Sequence, residues 1–440
     1  MAAMTTPTAL IAPRWILTMA DGAGPLENHA VVLAGDRIQA VLPLPEAQAL
    51  HPGLPCTALP THAVMPGLVN THTHAAMTLM RGLADDLPLM RWLEDHIWPA
   101  ERTHATAEFV KDGTTLAIAE SLLGGVTCLN DMYFFPEEAA AAALETGMRM
   151  ALGIIVIEFP TRYASDPQDY LDRGLAMRDR HKHDARLSFC LAPHAPYTVS
   201  DPTFERVAML AEQLDLPIHL HLHETEAEIQ QSVAQYGCRP IERLSRLGFL
   251  GPRLMAVHAV HLLEEEIRSL AHFGCTMVHC PSSNLKLASG FAPVGELLAA
   301  GVNVALGTDG AASNNRLDMF EEMRLAAFLA KATTGDAAAL PAEAALRMAT
   351  ICGARALGLD DRIGSLEPGK QADIIAVDLD AIDLVPCYHP ASHLVYAAGR
   401  RDVSHVWIGG EPLVRNGELV RLHVDQLRSR VQGWHTQLFA

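Results

Sequence analysis

The chain has 440 residues with 51 acidic against 33 basic side chains, a formal net charge of -18. That balance excludes nucleic acid and anionic membrane surfaces as main partners, because phosphate binding needs clustered Lys and Arg. With 49% hydrophobic and 19% charged residues the chain is globular, and its 22 histidines ask for an explanation. No run reaches the ~18 apolar residues of a membrane span. Apolar Thr8–Met19, broken by Pro13 and Arg14, lacks the marks of a secretory signal. The eight cysteines contain no C-x-x-C pair and sit mostly in apolar runs, as reduced thiols do. A cytoplasmic location is expected.

The first sixty residues read as short strands: 9–11, 15–18, 29–33 and 37–41, with a turn at Gly35-Asp36. The C-terminal stretch is similar, with strands at 372–377 and 403–408 before Gly409-Gly410. Neither set buries a core alone, so the two ends are expected to pair into one small β-sandwich domain. Between them, short apolar strands alternate with Ala/Leu/Glu-rich helical stretches, the pattern of a parallel α/β sheet. Eight strands are predicted, at 64–74, 126–132, 149–159, 187–194, 218–223, 254–258, 276–279 and 302–308. Eight such units close as a TIM barrel. The expected division is 1–65 and 367–440 for the β domain and 66–366 for the barrel.

Six of these strands end in or just before His or Asp: His72/His74, His194, His221/His223, His258, His279 and Asp309. A TIM barrel holds its active site at the C-terminal strand ends. His72 and His74, two apart on a strand, point to the same side and could share a metal ion. By the same alternation His219, His221 and His223 occupy one face, and spacing does not choose the ligand among them. Glu224, at the strand's end, suits a general acid/base beside an activated water. Asp309 is a hard ligand or a base, or more plainly a helix cap. His258 could hydrogen-bond the water or a developing oxyanion, while His261 reads as structural. Gly364–Lys370 imitates a phosphate loop but lacks the Ser/Thr and precedes a strand. The H-E-x-x-H and G-x-S-x-G patterns are incomplete or missing.

Taken together, Pro66–His74, His219–Glu224, His279-Cys280-Pro281-Ser282-Ser283-Asn284, Gly307–Asn315 and Ile363–Asp373 resemble the amidohydrolase superfamily. Within it the chain is similar to the 5'-methylthioadenosine/S-adenosylhomocysteine deaminase group, with atrazine chlorohydrolase-like enzymes nearby. The resemblance implies metal ligands at His72, His74, His221 and Asp309. It also implies a proton shuttle at Glu224 and His258 beside the attacking water. One zinc ion per subunit is implied, with iron as the alternative, because the fourth strand lacks the bridging lysine of binuclear members. Substrate contacts are implied at Trp92, Glu101, His194 and Ser313, with Arg162 as a substitute for a carboxylate-binding arginine. The third-strand loop departs from the arginine pattern of homocysteine-binding members, which favours 5'-methylthioadenosine or adenosine over S-adenosylhomocysteine. The implied activity is hydrolytic deamination of a 6-aminopurine nucleoside by a homo-oligomer, a dimer or tetramer. The alternatives are an oxidised-guanine deaminase or chlorotriazine-type hydrolase on the same scaffold, and a non-catalytic scaffold protein.

Overall fold

The computed structural model describes residues 6–438. Five strands come first: β1 (Ala9–Ile16), β2 (Leu26–Glu27), β3 (His29–Ala34), β4 (Arg37–Pro43) and β5 (Cys56–Pro66). Eight follow, β6 (Leu68–Thr73), β7 (Val126–Asp131), β8 (Arg149–Val156), β9 (Leu187–Pro193), β10 (Ile218–Leu222), β11 (Leu254–His258), β12 (Thr276–His279) and β13 (Asn303–Leu306). The chain ends with β14 (Ile374–Asp378), β15 (Val403–Ile408), β16 (Glu411–Arg415), β17 (Glu418–Leu419) and a helix at Val424–Leu438.

Strands β6 to β13 pair in sequence order, all parallel, as βαβ units require. The seam between β6 and β13 is joined by Thr71 Oγ1 donating to the Leu306 carbonyl (2.7 Å) and by Asp309 N donating to the His72 carbonyl (3.0 Å). Inside the barrel, Val69, Cys128, Ala151, Cys190, Val257 and Val278 form one buried cluster. Three of the eight free cysteines (Cys128, Cys190 and Cys280) thus serve as small core hydrophobes. Among the described residues, no helix is long and apolar enough to cross a membrane.

The chain ends do pair, through β5 and β14, into a nine-stranded sheet. The sheet is continuous, and its sandwich character comes from curling: Asp36 O, in the β3–β4 turn, accepts from Ala372 N ahead of β14 (2.8 Å). Two strand predictions need correction. The strands expected at 9–11 and 15–18 are one strand, irregular between Pro13 and Trp15, where proline has no N–H for the ladder. The strand expected at 64–74 is two, since β5 belongs to the end sheet and β6 to the barrel. Gly67 separates them because a Cβ there would lie 2.0 Å from Thr127 Oγ1.

Arg149, at the start of β8, ties the two sheets together. Its Nε donates to Asp373 Oδ2 (2.7 Å) and Nη2 to Asp373 Oδ1 (3.1 Å), while Nη1 reaches the Ala185 carbonyl (3.0 Å). Both side chains are buried, so breaking the pair strands a charge in low dielectric. Arg149→Met should destabilise the protein by about 3–5 kcal/mol in chemical denaturation, and Arg149→Met with Asp373→Leu should recover most of the loss. An unchanged midpoint in the single variant would rule out this role.

Candidate active site

The barrel mouth gathers the histidines at the strand ends. His72 is fully buried within β6, and His74 follows directly after it. Gly307 lets β13 approach so closely that a Cβ there would meet the His72 backbone nitrogen at 2.9 Å. The ring of His72 stands edge-on to those of His74, His219 and His221, each with a centroid 4.8 Å away. His74 donates from Nδ1 to the Met132 carbonyl, and His221 from Nδ1 to the His194 carbonyl, both at 2.7 Å. Each imidazole therefore keeps Nε2 as a lone-pair donor. Burial depresses the pKa of His72 to about 4 and that of His221 well below its usual value, so both stay neutral near pH 7. Neutral imidazole is the form that binds a metal.

Asp309 completes the group. Its Oδ1 lies 3.2 Å from His72 Nε2 and 3.3 Å from His74 Nε2. Gly310 N donates to the same oxygen (2.7 Å), and Ser283 Oγ donates to Oδ2 (2.6 Å). Burial pushes the carboxyl pKa up, but the close approach and charge of His72, with the charges of His74 and His258, hold it well below the usual range. Ligand atoms of His72, His74 and Asp309 lie within 4.8 Å of one another, and so do those of His72, His221 and His258. Among the described residues His72 Nε2 is buried without a well-formed hydrogen bond, with the Asp309 oxygen 3.2 Å away. An ordinary core does not leave such an atom facing a carboxylate, whereas a divalent cation would satisfy both. Three imidazoles and one carboxylate suit zinc or iron.

Glu224 follows β10. Its backbone is clamped because Glu228 Oε2 accepts from Glu224 N (2.8 Å) and Oε1 from His223 N (3.0 Å). Burial raises the Glu224 pKa against the pull of His258, whose Nε2 is 3.8 Å from Glu224 Oε2. His258 donates from Nδ1 to Asn284 Oδ1 (2.8 Å), which turns Nε2 towards Glu224. His258 and Asp309 have left-handed backbones, with φ of 70° and 61°. Such non-glycine conformations cost of order 1–3 kcal/mol and gather at functional sites.

The residues implied for substrate line the same cavity of about 720 Å³: Trp92, Glu101, His194 and Ser313, with Arg162 in the β8–β9 loop. A short helix (Leu89–Trp92), a π-helical turn (Leu93–Ile97) and a second helix (Trp98–His104) carry Trp92 and Glu101 over the mouth. Trp92 Nε1 is buried without a partner among the described residues, and burial raises the Glu101 pKa to about 7. His194 bonds Thr198 Oγ1 through Nδ1 (3.0 Å), and its pKa is driven down to about 3 by burial. Ser313 Oγ donates to the Gly310 carbonyl (3.1 Å). Arg162 Nη1 donates to the Thr103 carbonyl (2.9 Å), tying its loop to the helix over the mouth.

The structure resolves the triple-histidine strand and amends one expectation. His219 Nε2 is 2.8 Å from His72 Nδ1 and orients that ring from behind. His223 does not share the face of His219 and His221. It lies past the end of β10 with φ at 55°, where it bonds the His261 carbonyl (3.1 Å) and Ile241 N (3.1 Å). His261 is structural, with Nε2 on the Ser289 carbonyl (2.7 Å). Ser283, Asn284, Glu228 and Asn130, whose Nδ2 lies 3.3 Å from His219 Nδ1, were missed by sequence reasoning. For Ser283 and Asn284 the signal was present in the His279–Asn284 motif.

Comparison with known proteins gives a consistent picture. The model of the amidohydrolase family matches residues 63–413. A protein of Teredinibacter turnerae named 5-methylthioadenosine/S-adenosylhomocysteine deaminase is 46% identical over 97% of this chain and 96% of its own. One of the same name from Saccharophagus degradans is 45% identical over 99% and 98%. Among solved structures, an adenosine deaminase from Xanthomonas campestris with bound zinc superimposes with a TM-score of 0.97 at 51% identity, covering 98% of both chains. Atrazine chlorohydrolase from Arthrobacter aurescens, complexed with zinc, gives 0.90 at 25% identity over 97% of this chain and 100% of its own. The strand-end histidine cluster, the eight-stranded barrel and the matched family model agree: the chain belongs to the amidohydrolase family.

Proposed function

We propose that the chain is a zinc-dependent aminohydrolase that removes the 6-amino group of a purine nucleoside. The substrate is foremost 5'-methylthioadenosine, then adenosine or S-adenosylhomocysteine, and the products are the inosine analogue and ammonia. One observation carries this reading: a cluster able to hold a cation forms the floor of a cavity whose roof bears the indole of Trp92 and the carboxylate of Glu101. The names of the similar proteins support it.

In this reading His72, His74, His221 and Asp309 hold the ion. When bound, zinc supplies Lewis acidity that brings water ionisation near neutral pH. Glu224 takes a proton from the water and delivers it to purine N1, which its burial-raised pKa favours. Asp309 takes the second proton as the water oxygen adds to C6. His258, with Nδ1–H held by Asn284, presents Nε2 as an acceptor to the O–H of the attacking water. Asp309 passes the second proton to the amino nitrogen, the C6–N bond breaks as C6=O forms, and ammonia leaves. Glu101 accepts hydrogen bonds from the ribose 2'- and 3'-hydroxyls, and this remote binding orients C6. His194, Ser313 and Arg162 complete the substrate contacts. We further assign residues 66–366 to the catalytic barrel and the chain to the cytoplasm as a homo-oligomer, which suits its free cysteines.

The test is incubation with 5'-methylthioadenosine, adenosine and S-adenosylhomocysteine while ammonia is followed. Release from none of them would overturn the proposal. Glu101→Ala should lower kcat/KM for nucleosides by about 10- to 100-fold, the worth of a charge-assisted hydrogen bond. Turnover of a 6-aminopurine base without ribose should be unaffected.

A further inference from the structure

Tyr133 lines the cavity and has no part in the chemistry above. It follows β7 by two residues, and the chain around it is pinned on both sides of Met132. The Met132 carbonyl accepts from His74 Nδ1 (2.7 Å), and Met132 N donates to the Thr73 carbonyl (3.0 Å). The Tyr133 ring packs against Phe134 with centroids 5.2 Å apart. Its hydroxyl is buried and makes no well-formed hydrogen bond among the described residues, although it stands close enough to the Glu101 carboxylate for the two to interact. Its charged neighbour is the Glu101 carboxylate, carried on the helix Trp98–His104. A phenylalanine would fill the same space without leaving a buried hydroxyl poorly satisfied beside Glu101. The hydroxyl therefore calls for a partner that arrives with the ligand.

The chemistry of a vicinal diol supplies one. Its two O–H groups donate to the two oxygens of Glu101, which only accept. Each diol oxygen still has lone pairs open to a donor, and the Tyr133 O–H is a donor already in place.

We propose that the Tyr133 hydroxyl donates to one ribose hydroxyl oxygen of the bound nucleoside, so that Tyr133 and Glu101 together select substrates with an intact 2',3'-diol. The inference rests on the nucleoside deaminase reading, and the experiment separates the two. Wild type and Tyr133→Phe are compared on adenosine, 2'-deoxyadenosine and 3'-deoxyadenosine. The variant should lose about 10-fold in kcat/KM on adenosine, as expected for one neutral hydrogen bond left unmade. The same loss should appear with one of the deoxynucleosides and vanish with the other, the one lacking the contacted hydroxyl. Thermal stability should change little, because no well-formed hydrogen bond is lost. An equal loss on all three substrates, or no loss on adenosine, would overturn the assignment, as would a lowered Tm that accounts for the loss. If wild type deaminates none of the three nor 5'-methylthioadenosine, the nucleoside reading itself fails and takes this assignment with it.

Discussion

Glu224→Gln lowers kcat by about 100- to 10,000-fold, the range for removing a positioned general acid/base, and leaves the metal content unchanged. The glutamine has the shape of the glutamate but cannot carry a proton from water to the purine ring. Its position is fixed by the backbone, since Glu228 accepts from both His223 N and Glu224 N. The variant should therefore keep its geometry. Glu224 is absent from both groups whose ligand atoms converge for a cation, so zinc should stay bound. Elemental analysis and single-turnover ammonia release on the same preparation check both halves. Normal turnover would remove Glu224 from the proton path, and lost zinc would make it a ligand instead.

How far the sequence reveals this site follows from the range of each interaction. The strand ends are local features: apolar runs stopping at His74, His194, His258 and Asp309 mark the barrel mouth before any strand is paired. The His72/His74 pair depends only on the two-residue alternation of a strand. His219 is different, because its contact with His72 spans 147 residues and depends on how β6 and β10 face each other across the barrel. The contacts of Ser283 with Asp309 and of Asn284 with His258 likewise join separate strand ends. His223 departs from alternation because its backbone turns left-handed, a conformation that glycine advertises in a sequence and histidine does not. The segment over the mouth was the least legible. Its helices are short and joined by a π-helical turn, so no long period betrays that Trp92 and Glu101 face the same cavity.

The buried network divides into two tasks. Carbonyls of Met132 and His194 fix the ring tautomers of His74 and His221, and burial keeps His72 and His221 uncharged. These devices make nitrogen lone pairs available but bring no negative charge. Asp309 supplies that charge, held by Ser283 and Gly310 and drawn into its anionic form by the histidines around it.

Asp309→Asn should accordingly weaken zinc binding by more than about 100-fold, beyond the loss typical of an outer-shell partner. The amide keeps the size of the carboxylate but removes the one carboxylate in the His72, His74, His221 and Asp309 set. It also turns an N–H₂ towards either Ser283 Oγ or the histidine nitrogens, where an acceptor now stands. A readout independent of activity is the zinc dependence of Tm. A ligand that binds only the folded state stabilises it by about 2.7 kcal/mol at 100 times its Kd, so wild type stripped with chelator should gain Tm when zinc is restored. The variant should gain little at the same zinc concentration, and its deamination should stay abolished. Because the lost group is an anion rather than a bulky side chain, Asp309→Glu should recover part of the zinc-dependent Tm shift without full turnover, since the longer arm misplaces the carboxylate. If Asp309→Asn binds zinc as tightly as wild type, the histidines alone hold the ion and Asp309 acts only on protons.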